Sequence, residues 1–162
     1  MIFVTLGTQK FQMNRLLKLV DGLLSDAKLQ AQVIAQIGQS DYVPRHFAFH
    51  RFLDKQEFVR HISQAEVVIT QGGVGAIMTA LKLRKPTIVV PRLAKYGEHV
   101  DDHQREIAHA FAKKGYVICC DDGDNLGELI ALCSVKQFPE YVSQTDKITY
   151  LINNYLEKQR IS

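Results

Sequence analysis

The residues best suited to chemistry are the glycines of one short segment, residues 71–76, which reads Gln-Gly-Gly-Val-Gly-Ala. Gly72, Gly73 and Gly75 remove side chains where the chain leaves an apolar run, residues 67–70, and enters a helix-like pattern. The first N–H groups of a helix have no partner within it, and they can face a phosphate. The segment therefore predicts a cradle for a phosphate-bearing ligand.

The glycine pattern leaves two interpretations open. It lacks the Lys-Ser/Thr ending of a Walker loop, and Gly-Gly-Val-Gly does not have the full Rossmann spacing. A glycine-rich turn between a strand and a helix can also serve only close packing in an α/β protein. The turn alone does not separate phosphate binding from packing.

Histidine and acidic residues form a second group of candidates. His99 and His103 could serve as a general base or pair with a phosphate near neutral pH. His103 could equally be a first-turn residue on a helix surface. Asp101 and Asp102 could hold a metal ion, but adjacent acids at the beginning of a helix are more often caps that favour its dipole.

Two basic side chains, Arg92 and Lys95, follow Pro91 and offer a further means of holding phosphate. They could neutralise a bound phosphate, or they could simply be solvated. The sequence leaves both alternatives open.

The three cysteines, Cys119, Cys120 and Cys133, are assigned no chemistry. They form no Cys-x-x-Cys pair, and no histidines stand at zinc-site spacing. Cysteines of this kind at a strand end favour core filling in a reducing compartment over a redox or metal role. No metal site and no cofactor are therefore expected.

The composition favours one cytoplasmic domain. The chain has 162 residues, of which 46% are hydrophobic, enough for a real core. The formal charge of +3 comes without a long basic run, so nucleic acid is not an expected partner. The first residues lack the basic start and apolar stretch of a signal peptide, and no run approaches the roughly 18 apolar residues that span a bilayer.

Short apolar runs alternate with amphipathic ones, which predicts a parallel sheet with crossover helices. The predicted strands are 2–6, 33–37, 46–52, 67–70, 87–90 and 116–119. The predicted helices are 11–25, one capped by Asp54, one after the glycine turn, one opened by Asp101 or Asp102, 126–132, and a terminal helix at about 143–158. One doubly wound domain accounts for the whole chain.

In such sheets, ligands bind outside the carboxyl ends of the strands. Three polar segments fall at these ends: Gly7-Thr8-Gln9, residues 71–75, and the stretch from Pro91 to Gln104. We therefore expect them to converge on one site.

With those segments placed, the chain resembles the nucleotide-binding half of the GT-B glycosyltransferases of the family 28 C-terminal group. The residues that carry the resemblance are 3–9, 69–75, 85–92 and, above all, 96–104, which reads Tyr-Gly-Glu-His-Val-Asp-Asp-His-Gln. Within that group, the chain resembles small bacterial exopolysaccharide and capsule glycosyltransferase subunits. These are in turn similar to the catalytic subunit of the eukaryotic dolichol-linked UDP-GlcNAc transferase.

The resemblance implies a Rossmann-like half domain over residues 1–162 that binds a UDP-sugar without a metal. Thr8 and the backbone of 72–75 would hold the diphosphate, backbone groups at Leu53 would read the uracil, and His103-Gln104 would touch the sugar or ribose. The implied nucleotide-sugar-binding residues are Gly7, Thr8, Gln9, Leu53, Gln71, Gly72, Gly73, Val74, Gly75, Thr79, Glu98, His99, His103 and Gln104. The general base stays unknown, with His99 and His103 as candidates.

One departure concerns the ribose. Many relatives carry a glutamate one turn into the glycine-loop helix to bind the ribose hydroxyls, and Thr79 stands there instead. A threonine hydroxyl cannot make the bidentate contact of a carboxylate. Glu98, on the neighbouring loop, is the candidate replacement.

A complete GT-B enzyme has two such halves, and the resemblance covers only one. It implies a donor-binding catalytic subunit that transfers a sugar from a UDP-sugar to a lipid-linked acceptor in exopolysaccharide or capsule biosynthesis. A membrane-associated, acceptor-binding glycosyltransferase subunit would be its partner and recruit it to the membrane. Tyr150, Leu151, Tyr155 and Leu156 of the terminal helix are candidate docking residues. The alternative is a non-catalytic enhancer that stabilises its partner.

Overall fold

Six parallel strands form one sheet in the computed structural model. The structure describes residues 1–142 and 145–160, and in the last helix it describes side chains from residue 152 on. The strands are β1 (Ile2–Thr5), β2 (Val33–Gln36), β3 (Ala48–His50), β4 (Val67–Thr70), β5 (Thr87–Val89) and β6 (Ile118–Cys119). The helices are α1 (Asn14–Ser25), α2 (Lys55–Gln64), α3 (Val74–Lys82), α4 (His103–Lys113), α5 (Leu126–Val135) and α6 (Thr145–Arg160), with a 3₁₀ turn at Ala94–Tyr96.

The central strands are apolar on both faces because helices cover both faces of the sheet. Every residue of β1 and of β4 is buried. On one face, Val4 and Ile69 lie in a core with α1 and α5. On the other face, Phe3 packs with Ile62 of α2, while α3 and α4 cover the neighbouring strands. The predicted doubly wound α/β fold is confirmed.

The strand order is β3-β2-β1-β4-β5-β6. From β1 the chain adds β2 and β3 on one side, and it then crosses to the other side of β1 and adds β4, β5 and β6. Strands β1 and β4 pair directly, with Ile2 opposite Val67 and Thr5 opposite Thr70. The loops after these two strands leave the sheet in opposite directions, which opens a crevice at their carboxyl ends. This is the position where doubly wound sheets bind ligands.

Several boundaries differ from the sequence prediction. Helix α1 begins at Asn14 rather than at residue 11, because the N–H of Met13 is bonded to Ser40 Oγ at 2.9 Å and the preceding carbonyls are used by a distant side chain. Strands β3 and β6 are shorter than predicted, and α5 extends to Val135. Asp54 caps α2 as predicted, since its Oδ1 accepts from the N–H of Glu57 at 2.8 Å.

The terminal helix runs from Thr145 to Arg160, close to its predicted range. The start predicted at residue 143 and the side chains of Tyr150 and Leu151 lie outside what the structure describes. Leu156 is half exposed. Among the described residues, no helix combines the length and the apolar character needed to cross a membrane.

Candidate functional site

The loops after β1, β2 and β4 approach one another closely where they leave the sheet, and two glycine positions there have no room for a side chain. Gly7 adopts a positive φ of 71°, and a Cβ there would lie 2.7 Å from Nε2 of Gln71. Gly38, which follows β2, has a φ of 57°, and a Cβ there would lie 2.7 Å from the carbonyl oxygen of Gly7. Both positions need glycine for conformation and for space.

The glycines of the turn at 71–76 have different roles. A Cβ on Gly72 would lie 2.5 Å from Cβ of Gln104 and 2.6 Å from its carbonyl oxygen, and a Cβ on Gly73 would overlap the side-chain amide of Gln71. Gly75 differs, since a Cβ there would meet nothing within 4 Å. The first two glycines therefore serve close packing, and the third leaves open space at the beginning of α3.

The beginning of α3 presents unpaired donors to that space. Gly73 is the N-cap residue and has no side chain to cap the helix, and the first turn carries no acidic residue. The N–H groups of residues 73–76 make no hydrogen bond to any residue that the structure describes. Unpaired N–H groups and the helix dipole together favour an anion at this position.

Gln104, in the first turn of α4, fixes the glycine turn. Its Oε1 accepts from the N–H of Gly72 at 3.0 Å and from the N–H of Arg92 at 3.2 Å. The side chain is almost entirely buried. Its Nε2 makes no hydrogen bond within the described residues, so one amide group both holds the turn and keeps donors available.

Arg92 is neither a phosphate ligand nor a solvated side chain, and both alternatives left open by the sequence are wrong. Its guanidinium is fully buried and donates to four backbone carbonyls: Leu6 at 2.5 Å, Phe11 at 2.9 Å, Gln12 at 3.1 Å and Glu98 at 3.2 Å. Burial lowers the pKa of Arg92 from its ordinary value, and the charge of Glu98 opposes that shift. Arg92 therefore joins the loop after β1 to the loop after β5.

Glu98 does not replace the missing ribose-binding glutamate, because its carboxylate is fully buried. Oε1 accepts from Nε of Arg15 at 2.9 Å, and Oε2 accepts from Nη2 of Arg15 at 2.9 Å and from the N–H of Leu93 at 3.0 Å. Both oxygens of this carboxylate are therefore engaged within the protein. Glu98 stabilises the loop after β5, and the expectation that it contacts the ribose is corrected.

His99 and His103 share one carboxylate. Asp101 Oδ1 lies 3.2 Å from Nδ1 of His99, and Asp101 Oδ2 lies 3.1 Å from Nε2 of His103. Asp101 Oδ1 also accepts from the N–H of His103 at 3.0 Å, so this acid caps the beginning of α4. Asp102, at the N-cap position itself, instead accepts from the N–H of Ala94 at 2.8 Å.

The two histidines are also positioned by aromatic rings. His99 lies 5.5 Å from the ring of Phe11, measured between centroids, and His103 meets the ring of Tyr155 edge-on at 4.3 Å. Tyr155 belongs to α6, so the terminal helix contacts the candidate site. Tyr155, predicted as a docking residue, is therefore partly used in packing within the chain.

The remaining predicted residues fall into two groups. Thr8 and Gln9, in the loop that follows β1, are exposed. Thr79 donates its hydroxyl to the carbonyl of Gly75 at 2.8 Å, and the N–H of Leu53 donates to Oε1 of Gln36 at 3.2 Å. These two polar groups are already engaged within the fold.

Sequence reasoning missed one residue at the crevice, Phe52, and gave no separate reason for another, Gln71. The carbonyl oxygen of the Gln71 amide is buried without a hydrogen-bond partner, directly beneath the glycine turn. Phe52 follows β3, is 48% exposed, and its ring lies 4.0 Å from the position of a Cβ on Gly38. Phe52 is the last residue of the predicted strand 46–52, and an aromatic residue at that carboxyl end was a usable signal. Gln71 was named only as part of a motif, without a reason of its own.

Comparison with known proteins gives one family match over most of the chain. The model described as Glycosyltransferase family 28 C-terminal domain matches residues 1–147. The UDP-N-acetylglucosamine transferase subunit ALG13 of Homo sapiens is 30% identical over 128 residues, which cover 74% of this chain and 11% of the relative. The chain therefore spans about a tenth of that relative's length.

Solved structures show the same fold at low identity. The solution structure of ALG13 superposes with a TM-score of 0.60 at 22% identity, covering 93% of each chain. The glycosyltransferase SnogD from Streptomyces nogalater gives a TM-score of 0.59 at 20% identity, covering 83% of this chain and 34% of SnogD. This chain thus corresponds to about a third of SnogD.

Proposed function

This chain belongs to the glycosyltransferase family 28 C-terminal domain family, and from that premise we propose that it is the donor-binding catalytic subunit of a two-component glycosyltransferase. The reaction is transfer of a sugar from a UDP-sugar to a lipid-linked acceptor. The biological setting that we propose, exopolysaccharide or capsule biosynthesis, rests on the sequence resemblance.

The observation that carries the proposal is the open beginning of α3. The unpaired N–H groups of residues 73–76 lie beside the β1–β4 crevice, and Gly75 leaves the space in front of them empty of side chains. A diphosphate placed there would be held by backbone donors and by the positive end of the helix dipole. Thr8, exposed across the crevice, adds a hydroxyl donor.

The uracil, ribose and sugar of the donor would lie against the loop after β3 and the beginning of α4. Phe52 offers a half-exposed ring on which a uracil could stack, next to the backbone of Leu53. On the opposite side, His103 and the free Nε2 of Gln104 supply donors for sugar or ribose hydroxyls. Base, diphosphate and sugar would then each meet a different loop.

The same contacts would promote the reaction. Negative charge grows on the diphosphate as the bond to the sugar breaks, so donors fixed at the beginning of α3 bind the transition state more tightly than the ground state. Asp101 lies 3.2 Å from Nδ1 of His99 and 3.1 Å from Nε2 of His103, so one carboxylate orients both imidazole rings. We propose these histidines as candidates for the general base, without a choice between them.

The acceptor side would come from another polypeptide. ALG13 is itself named as a subunit of a UDP-N-acetylglucosamine transferase. For this chain we propose a membrane-associated, acceptor-binding partner that recruits a cytoplasmic protein to the membrane. The half-exposed Leu156 on α6 is available for such a contact.

A second candidate function is a non-catalytic enhancer of a partner glycosyltransferase. The observation that favours it is the ribose position, where Thr79 uses its hydroxyl on the helix backbone and Glu98 is buried in an ion pair. Without a free carboxylate there, donor binding loses one strong contact.

The two functions are separated by titrating the chain with UDP-sugars, alone and together with the partner, by calorimetry. The donor-binding function predicts saturable binding of UDP and of at least one UDP-sugar. It also predicts transfer of the sugar to a lipid-linked acceptor only when both subunits are present. Absence of nucleotide binding in both states would leave only the enhancer function.

A further inference from the structure

Three metal-ligating side chains meet at the far edge of the sheet, away from the glycine turn. His109 Nε2, Cys119 Sγ and a carboxylate oxygen of Asp121 all lie within 4.8 Å of one another. His109 belongs to α4, Cys119 to β6, and Asp121 to the loop that follows β6. Sequence reasoning missed this group because spacings of ten and two residues match no common zinc motif.

The backbone holds each member of the group in place independently. Strand β6 pairs with β5, which fixes Cys119 opposite Val89. The N–H of Asp121 donates to Oδ2 of Asp124 at 2.8 Å, so the loop after β6 is tied to itself. His109 lies in the middle of α4, and its Nε2 is 2.9 Å from Asp121 Oδ1. The three groups therefore converge without any ligand present.

We propose that His109, Cys119 and Asp121 form a binding site for a divalent transition-metal cation of the Zn²⁺ type. Imidazole nitrogen, thiolate sulfur and carboxylate oxygen are the three protein ligands that zinc takes in tetrahedral sites. At zinc–ligand distances of about 2.0–2.3 Å, the ligand atoms of a tetrahedron lie about 3.3–3.7 Å apart. The present separation is 2.9 Å between His109 Nε2 and Asp121 Oδ1, and no pair of the three ligand atoms is more than 4.8 Å apart, so the atoms lie close to that range.

The local chemistry favours a cation. Asp121, Asp122 and Asp124 follow Cys119 within five residues. A cysteine binds zinc as the thiolate, so binding releases the thiol proton to solvent.

The competing group is Arg105, whose Nε lies 3.3 Å from Asp121 Oδ1. Its side chain is 56% exposed, so it can turn away into solvent. An exposed ion pair of this kind contributes little to stability, so a metal cation can replace Arg105 as the partner of Asp121. A polar cavity of about 300 Å³, lined in part by Arg105, Asp121 and Asp122, lies beside the group and leaves room for water as the fourth ligand.

The experiment titrates the full chain, first treated with a chelator, with Zn²⁺ by calorimetry and with Co²⁺ by absorption spectroscopy. We expect one equivalent of Zn²⁺ to bind and a thiolate-to-Co²⁺ charge-transfer band to appear. Cys119→Ser should abolish that band, and His109→Ala and Asp121→Asn should each weaken Zn²⁺ binding at least about tenfold. Arg105→Gln should strengthen binding, because it removes the competing cation.

The matched control is Cys120→Ala, since Cys120 packs on the opposite face of the sheet with α1 and α5. It should leave both the band and the affinity unchanged. Circular dichroism of each variant establishes that it is folded, and Asp121→Asn, at a partly exposed position, provides a second test if Cys119→Ser does not fold. The proposal is overturned if no band appears, or if Cys119→Ser and His109→Ala bind Zn²⁺ as tightly as the parent. Either result leaves the proposed donor binding unaffected, because UDP titration reads the glycine turn after β4, and the proposed metal site lies beside β6, two strands away.

Discussion

The side-chain oxygen of Gln104 accepts a hydrogen bond from the backbone N–H of Gly72 at 3.0 Å. This contact joins the first turn of α4 to the glycine turn that precedes α3, across 32 residues of sequence. The turn is too crowded for a side chain at Gly72, because that side chain would overlap Gln104 itself. The geometry of the candidate diphosphate site therefore depends on a residue of a different helix, α4.

Gln104→Ala should destabilise the fold and weaken donor binding together. The substitution leaves two buried N–H groups, those of Gly72 and Arg92, without an acceptor, which costs about 1–3 kcal/mol for each group that water cannot reach. Urea unfolding measures the loss of stability, and calorimetry with UDP measures the affinity. Gln30→Ala, at an exposed position, serves as the control and should change neither quantity. Normal stability of Gln104→Ala would contradict this role.

Gly75→Ala should weaken UDP binding without lowering the stability of the fold. Open space surrounds Gly75, and alanine has a higher helix propensity than glycine, so the melting temperature should stay the same or rise slightly. The added methyl group would occupy the space proposed for the diphosphate, and UDP affinity should fall at least about tenfold, or about 1.4 kcal/mol.

The matched control for Gly75→Ala is Gly22→Ala. Gly22 lies in α1, a Cβ there also meets nothing within 4 Å, and the position is not part of the crevice. This variant should gain stability by about 0.5–1 kcal/mol and bind UDP like the parent. If Gly75→Ala also binds UDP normally, the diphosphate does not lie at the beginning of α3.

Phe52→Ala should weaken UDP binding about tenfold, because stacking of a base on an aromatic ring contributes about 1–3 kcal/mol. Stability should change by less than about 1 kcal/mol, since the ring is half exposed. Phe52→Tyr keeps the ring and should restore affinity. Competition between UDP and inorganic diphosphate provides the readout, because diphosphate binding should be the same in all three proteins. Weaker diphosphate binding in Phe52→Ala would argue against a role in stacking.

His61 should make the protein less stable in mild acid. Burial lowers the pKa of His61 below its ordinary value of 6.5, its Nδ1 is buried without a partner, and its ring stacks on Phe3 at 5.3 Å. Below pH 6.5 the unfolded chain gains a proton that the folded chain does not accept, so the free energy of unfolding falls as the pH decreases. Above pH 6.5 this contribution is constant.

The test of that prediction is His61→Phe, which keeps a ring against Phe3 and removes the titration. Urea unfolding of the parent and of the variant at pH 8 and at pH 5 gives two differences in free energy. The variant should lose less stability between the two pH values than the parent. Equal losses would mean that other titrating groups, and not His61, cause the acid sensitivity.

Local sequence patterns were sufficient to locate all six strands, although not all of their ends. The predictions about individual side chains failed where long-range contacts decide the environment. The run at 67–70 is apolar and β-branched, and β4 occupies those four residues. Asp54 caps α2 through a contact three residues away. Glu98, in contrast, is paired with Arg15 across 83 residues, and Arg92 binds Leu6 across 86. A buried charge with such a partner has the same sequence signal as an exposed one.

In the candidate site too, local patterns predicted some features, and long-range contacts determine the others. Glycine spacing and chain order were enough to place the turn at 71–75 beside the loop after β1. They did not reveal that Gly72 and Gly73 are required by Gln104 and Gln71, because these overlaps exist only once α4 and the sheet are assembled. The meeting of His109 with Cys119 likewise depends on how α4 lies against β6.

Arg92 joins two loops beside the crevice with a single side chain, since its four carbonyl partners belong to the loop after β1 and to the loop after β5. Neither loop can move away from the other without breaking buried, charge-assisted hydrogen bonds. A donor would then meet a ready-made pocket and would not have to shape it. A change of donor sugar by engineering should therefore succeed at an exposed position such as Val100, and fail at the buried residues that Arg92 holds in place.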